Sequence, residues 1–240
     1  MKFKMAALAY SALALTAAGT ASAATVDFSN GAAGWEGNAV VDPSLGAAAP
    51  ALHTAAESFG VSWRNATNSA FLGNYTSSAT VTLGLDVLVN SITFEGADVS
   101  RHLIVSLLDK GDPAAGVPDA MVWYDLGTLS SATDSDWTHL SVSIDTASTA
   151  LPSGWGSDDG QGDLILPPGR TFASVLANVD QIEFSTFVPG YFYGYTDFDV
   201  AGDNITIDRG VSVVPEPANV VLLLAGIGGM VARRRTKRPA

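Results

Sequence analysis

Residues 139–145 read HLSVSID, and Leu140, Val142 and Ile144 alternate there with Ser141, Ser143 and Asp145. Successive side chains of a strand point to opposite faces, so this spacing makes a ribbon with one apolar and one polar side. A helix would scatter the same residues around its circumference. NITID at 204–208 repeats the pattern, with Ile205 and Ile207 against Asn204, Thr206 and Asp208. Eight more β-rich runs lie between residues 24 and 210: TVDF, NAVVD, PALHTA, GVSWRNA, ATVTLGLDVLV, HLIVSLLD, MVWYDLGTL and QIEFSTFV. Gly, Asp, Ser and Pro clusters separate them, the punctuation of turns. About ten short strands in one domain predict an all-β fold, an antiparallel β-sandwich of jelly-roll type. TFASVLANV is the one convincing helical run, expected as a short connection lying against the sandwich. The chain has no cysteine, so no disulfide supports this fold.

The two ends read differently. Residues 1–23 have a basic start at Lys2 and Lys4, an apolar middle and the small-x-small sequence Ala21-Ser22-Ala23. That is the layout of a signal peptide, with the sandwich domain expected over 24–210. Residues 211–217 form a polar linker ending in Pro215-Glu216-Pro217. An apolar run follows over 218–232, and a basic tail, RRRTKRPA, closes the chain at 233–240. The run is short for a ~30 Å hydrocarbon core, yet it spans if its arginines reach the interface. Those arginines keep their end cytoplasmic, which places the body outside the inner membrane.

Taken in that order, Pro215-Glu216-Pro217, the apolar run and the arginines resemble a PEP-CTERM sorting signal. The resemblance implies an exported protein of a Gram-negative bacterium, held briefly by a C-terminal membrane helix. It also implies an exosortase-type enzyme as partner, release to the cell surface or matrix, and a sorting role for Pro215, Glu216 and Pro217. Two prolines keep such a box extended beside the membrane, where an enzyme can grip it. Within the body, DFSNGAAGWEGN, DWTHLSVSI and VAGDNITID resemble the opening, middle and closing strands of carbohydrate-binding-module jelly rolls. That resemblance implies a fold and points to extracellular polysaccharide as a ligand.

Charge narrows the partners. From residue 24 to 214 the chain carries 23 acidic residues against Arg64, Arg101, Lys110, Arg170 and Arg209, a net −18. Such a body repels nucleic-acid phosphates and attracts cations. TDFDVAGDN places Asp197, Asp199, Asp203 and Asn204 around a glycine-containing turn, with Asp27 as a further oxygen donor from the first strand. Calcium takes six to eight oxygens from such loops, so structural calcium is one reading and ordinary turn chemistry the other. Asp158, Asp159 and Asp163 in GSDDGQGD form a single acidic loop with no repeat to stack on.

Catalytic patterns are sparse. His53, His102 and His139 fall in separate expected strands. No zinc-peptidase, serine-hydrolase or phosphate-loop motif is present. PGYFYGYTDF concentrates Tyr191, Tyr193 and Tyr195 with Phe192 and Phe198. Exposed rings of this kind stack on sugars, and alternate rings of a strand also bury in a core. Trp35, Trp63, Trp123, Trp137 and Trp155 are expected in the core or at strand edges. The reading is a non-enzymatic envelope or biofilm-matrix protein binding polysaccharide. The alternatives are a secreted glycan-active enzyme and a purely structural matrix protein.

Overall fold

The computed structural model describes residues 22–160 and 163–210. They form two antiparallel sheets facing each other across one apolar core. Their strands are β1 (Ser22–Val26), β2 (Trp35–Gly37), β3 (Val40–Asp42), β4 (Ala51–Ser58), β5 (Ser62–Asn65), β6 (Thr80–Phe94) and β7 (Ala97–Asp98). There follow β8 (Arg101–Asp109), β9 (Ala120–Leu129), β10 (Thr138–Asp145), β11 (Trp155–Asp158), β12 (Gln181–Ser185) and β13 (Thr196–Arg209). One sheet runs β10-β6-β13-β4-β3, with β1 added to β13 and β7 to β6. The other runs β11-β9-β8-β12-β5-β2.

Each of the ten runs read as strands overlaps a strand, although β1 ends before Asp27 and Phe28 and β12 ends before Thr186, Phe187 and Val188. Leu83, Leu85, Val87 and Val89 of β6 and Leu103, Val105 and Leu107 of β8 supply facing apolar rows. Trp63, fully buried, donates from Nε1 to Thr54 Oγ1 at 2.9 Å, which satisfies its polar edge inside the core. The helical run forms α1 (Phe172–Leu176). Thr171 caps it, accepting from Ser174 N at 3.1 Å while Ser174 Oγ accepts from Thr171 N at 2.9 Å. Phe172 packs edge-on against Trp155 with centroids 5.0 Å apart, so α1 joins the core. Trp35 and Trp63 lie in that core.

TDFDVAGDN is not a turn beside the last strand. It lies within β13, which runs unbroken for 14 residues. Phe198, Val200, Ala201, Ile205 and Ile207 are all buried, and their burial outweighs the turn preference of the intervening Asp, Gly and Asn. The turn chemistry is absorbed as register shifts against β6 after Asp199 and after Asp203, with Asn204 at φ 46°. Three short strands, β2, β7 and β11, carried too few residues for an alternating signal.

Residues 211–240 lie outside the described residues, and so do the expected membrane helix at 218–232 and the basic tail. Among the described residues no helix is long and apolar enough to cross a membrane.

Candidate functional site

The outward face of the six-stranded sheet carries a row of chemically active side chains. Strand alternation sends Trp35, Trp63, Ile182, Phe184, Val105 and Val122 into the core. Their neighbours then face out. Cross-strand pairing aligns Glu36 with Arg64, Arg64 with Glu183, Glu183 with Ser106, Ser106 with Trp123, and Trp123 with Gly156. One register line therefore crosses all six strands. Arg64 Nε donates to Glu36 Oε1 at 3.0 Å, and Ser62 Oγ donates to Glu183 Oε1 at 2.5 Å.

Trp123 packs over Gly156 on this face. Its indole covers the backbone of Gly156 so closely that a Cβ there would fall within the ring's van der Waals envelope. Only a residue without a side chain on β11 permits that pose. Trp123 Nε1 has no hydrogen-bond partner.

Beside the indole is a hollow of about 300 Å³. Trp123, His102 and Asp125 form one side, with Asp125 Oδ2 2.8 Å from His102 Nδ1. Val188, Tyr191 and Tyr193, from the segment between β12 and β13, form the other. Tyr193 is backed by Arg101, whose guanidinium carbon lies 4.6 Å from the ring centroid. Arg101 is held in turn by Thr196 Oγ1, which accepts from Nη2 at 2.7 Å, and by Ser100 O at 2.8 Å. Burial pushes the Arg101 pKa down from its ordinary value, with Tyr193 acting the other way. Flat rings, a carboxylate, an imidazole and phenol hydroxyls converge here. Rings stack on the C–H faces of a sugar, and the polar groups exchange hydrogen bonds with its hydroxyls.

The three tyrosines expected to bind glycan separate. Tyr191 and Tyr193 line the hollow. Tyr195 packs instead on Phe59, ring centroids 5.0 Å apart, and Phe59 also meets Phe192 at 5.7 Å.

Of the five residues considered for calcium, only Asp203 and Asn204 bond to each other, and Asp27, Asp197 and Asp199 have other neighbours. Asp27 accepts from Ser29 N and Oγ at 3.1 and 2.7 Å. Asp197 is exposed and sits across from Glu57. Asp199 Oδ1 is 2.8 Å from His53 Nε2 and accepts from Asn90 Nδ2 at 2.9 Å. Buried Asp203 accepts from Ala47 N at 2.9 Å and Asn204 N at 2.6 Å, while Asn204 Nδ2 donates to Asp86. An extended strand rises about 3.3 Å per residue, so Asp197, Asp199 and Asp203 are drawn out along β13 and not gathered in a turn. Among the described residues no group of three or more His, Cys, Asp or Glu could hold a metal ion. Pro215, Glu216 and Pro217 lie outside the described residues.

Sequence reasoning did not single out Trp123, His102, Asp125, Glu183 or Arg64 as site residues. The period-two rule does place Trp123 and Asp125 opposite Val122 and Tyr124. The signal was present, but MVWYDL offers no way to tell an outward tryptophan from an inward tyrosine.

No protein-family model and no curated protein sequence matches the chain. Solved structures bear a distant likeness to it. A family 30 carbohydrate-binding module is 16% identical, with a TM-score of 0.39 over 77% of this chain and 82% of that one. The family 30 module of a cellulosomal cellulase from Clostridium thermocellum is 14% identical, with a TM-score of 0.36 over 80% and 92%. SGBP-B, from a xyloglucan utilization locus of Bacteroides uniformis, is 12% identical, with a TM-score of 0.33 over 77% and 49%.

Proposed function

We propose that this protein is a non-enzymatic polysaccharide-binding protein of the bacterial cell envelope or biofilm matrix. The carrying observation is Trp123, packed over Gly156 at the edge of a hollow walled by Tyr191 and Tyr193. A core tryptophan presents its edges to neighbours on all sides. Trp123 is only partly buried, with its indole beside a carboxylate–imidazole pair. That combination suits a ligand with apolar faces and a rim of hydroxyls.

Export and sorting belong to the same proposal. The basic-apolar-small pattern of residues 1–23 and the Pro215-Glu216-Pro217 box before an apolar run and arginines support delivery across the inner membrane, then cleavage by an exosortase-type enzyme. Replacing the three box residues with alanine in the native host should leave the C-terminus uncut, read by mass spectrometry. Unchanged cleavage would count against the sorting role.

A glycan array of the full chain, run with a product screen on the same polysaccharides, tests the binding role. Binding without product is the expected result. Product release would favour a glycan-active enzyme, with His102 and Asp125 as the acid–base pair. Binding to no glycan would leave the purely structural reading.

A further inference from the structure

We propose that the protein has a second binding surface, an aromatic ridge at one end of the seven-stranded sheet, and that this ridge takes amine-bearing sugars. Its rings stack on the sugar faces and its carboxylates hold the ammonium groups of an amino-sugar polymer. The inference rests on the polysaccharide-binding role proposed above and goes beyond it, since it adds a surface away from Trp123 and names a charge class.

Rings build the ridge. Phe59, from the turn between β4 and β5, meets Phe192 and Tyr195, from the segment between β12 and β13, with centroids 5.7 and 5.0 Å apart. All three are exposed, Phe192 by 85%. Phe187 lies against Gly60 beside them and is exposed as well. Single exposed rings are ordinary, whereas a contiguous group of them marks an interaction surface.

Carboxylates line its foot. Phe198 and Val200 of β13 are buried in the core, so Asp197 faces outward. Register places Glu57 opposite Asp197, Asp197 opposite Thr93, and Thr93 opposite Asp98, one line over β4, β13, β6 and β7. That line is roughly 14 Å long. Glu57 lies two residues from Phe59, and Asp197 two from Tyr195, so the rings stand on the same face as the row, roughly 7 Å along it. Glu57, Asp197 and Asp98 are exposed, and among the described residues none of them forms an ion pair. Like charges directly opposite one another destabilise a sheet, so a cation seated on Glu57 and Asp197 relieves the pair.

Charge decides the occupant. Arg64 and Arg170 pair with Glu36 and Asp109, Arg101 is buried behind Tyr193, Arg209 donates to Leu72 O, and Lys110 follows the opposite end of β8 from Arg101. The protein's own described cations therefore leave the row open. A second copy of the chain brings the same acids and is repelled, as is a carboxylate-bearing sugar. A neutral sugar uses the rings and leaves the carboxylates idle. An amino-sugar polymer uses both, because each ring carries an apolar face for stacking and an ammonium group for the row. The body's net charge of −18 draws such a polycation in.

The test titrates the full chain with a glucosamine hexasaccharide and its fully N-acetylated counterpart, which differ in charge and not in length. Hexalysine serves as the basic peptide control, and the pH is kept mildly acidic so that the amines are protonated. The amine form should bind at least about tenfold tighter, since several exposed ion pairs act together, and the excess should shrink as salt is raised. Glu57→Gln with Asp197→Asn and Asp98→Asn should abolish the excess while melting no lower than the parent, because it removes opposed like charges. Phe192→Ala should weaken the amine form, and Trp123→Ala should keep the preference for it. Equal binding of the two hexasaccharides overturns the ridge, and the role proposed above then stands if a neutral glycan still binds through Trp123. A preference that vanishes in Trp123→Ala, or that survives the triple change or Phe192→Ala, puts the amine elsewhere and overturns it too. Hexalysine binding as tightly as the amine sugar, with the same dependence on the three acids, makes the surface one for basic peptides and overturns the sugar assignment. If no glycan of either charge binds, both proposals fall.

Discussion

Trp123 and Gly156 face each other across the β9–β11 pair, and the indole occupies the space a side chain at 156 would fill. Gly156 is therefore a positioning residue for the ring. The prediction is that Gly156→Ala displaces the indole and lowers glycan affinity nearly as far as Trp123→Ala does. β11 is a four-residue edge strand at the rim of the sheet, so the fold should survive, with an unchanged far-ultraviolet dichroism spectrum. Titration of both variants against the same glycan checks this. Full affinity in Gly156→Ala would show that the placement of the indole over Gly156 is not what binds.

That relationship also shows what the sequence could and could not disclose. The ten alternating or β-rich runs were readable because each buries a face that period-two spacing exposes in print. α1 was readable from its apolar spacing, and Thr171 and Ser174 close it at its start. Gly156 was not readable. Its strand, WGSD, is too short to show a period, and its role depends on a residue 33 positions earlier. The density of acids in TDFDVAGDN misled for a related reason. Whether Asp197, Asp199 and Asp203 converge depends on whether the backbone turns or extends, and the buried Val200, Ala201 and Ile205 decide that it extends.

Two ion pairs that differ in burial predict stability losses of different size. Arg170 Nη2 contacts Asp109 Oδ2, and the two side chains are 9% and 4% exposed. Asp109 also accepts from Gly111 N at 2.8 Å and Asn178 Nδ2 at 3.1 Å. Removing the guanidinium strands a buried carboxylate. Arg170→Met should therefore cost about 3–5 kcal/mol. The Arg64–Glu36 pair is 48% and 63% exposed, and water screens it. Arg64→Met should cost at most about 1 kcal/mol. Urea unfolding of the full-chain variants separates the two, and equal losses would contradict the distinction drawn from burial.

Acid sensitivity follows from two turn aspartates. The Ser29 hydroxyl, then its amide, holds the Asp27 carboxyl below the ordinary 3.8. Ser44 does the same for Asp42, with His53 adding less. A depressed folded-state pKa means the unfolded chain binds more protons near that pH. The contribution is therefore present above 3.8 and lost as pH falls through the lower folded values. Asp27→Asn with Asp42→Asn cannot ionise at these positions. Its stability should fall less steeply than the parent's below about pH 4. Parallel curves from urea melts across that range would show that the serine contacts do not hold in solution.

The central claim is that a planar tryptophan face on the six-stranded sheet binds sugar. Isothermal titration of the full chain and of Trp123→Ala, against the strongest glycan found on the array, tests it most directly. Truncating a central aromatic anchor typically removes ~2 kcal/mol or more, so the predicted result is a loss of at least about thirtyfold in affinity, with the melting temperature held within a few degrees. Equal affinity in the two proteins, with both folded, would contradict the account.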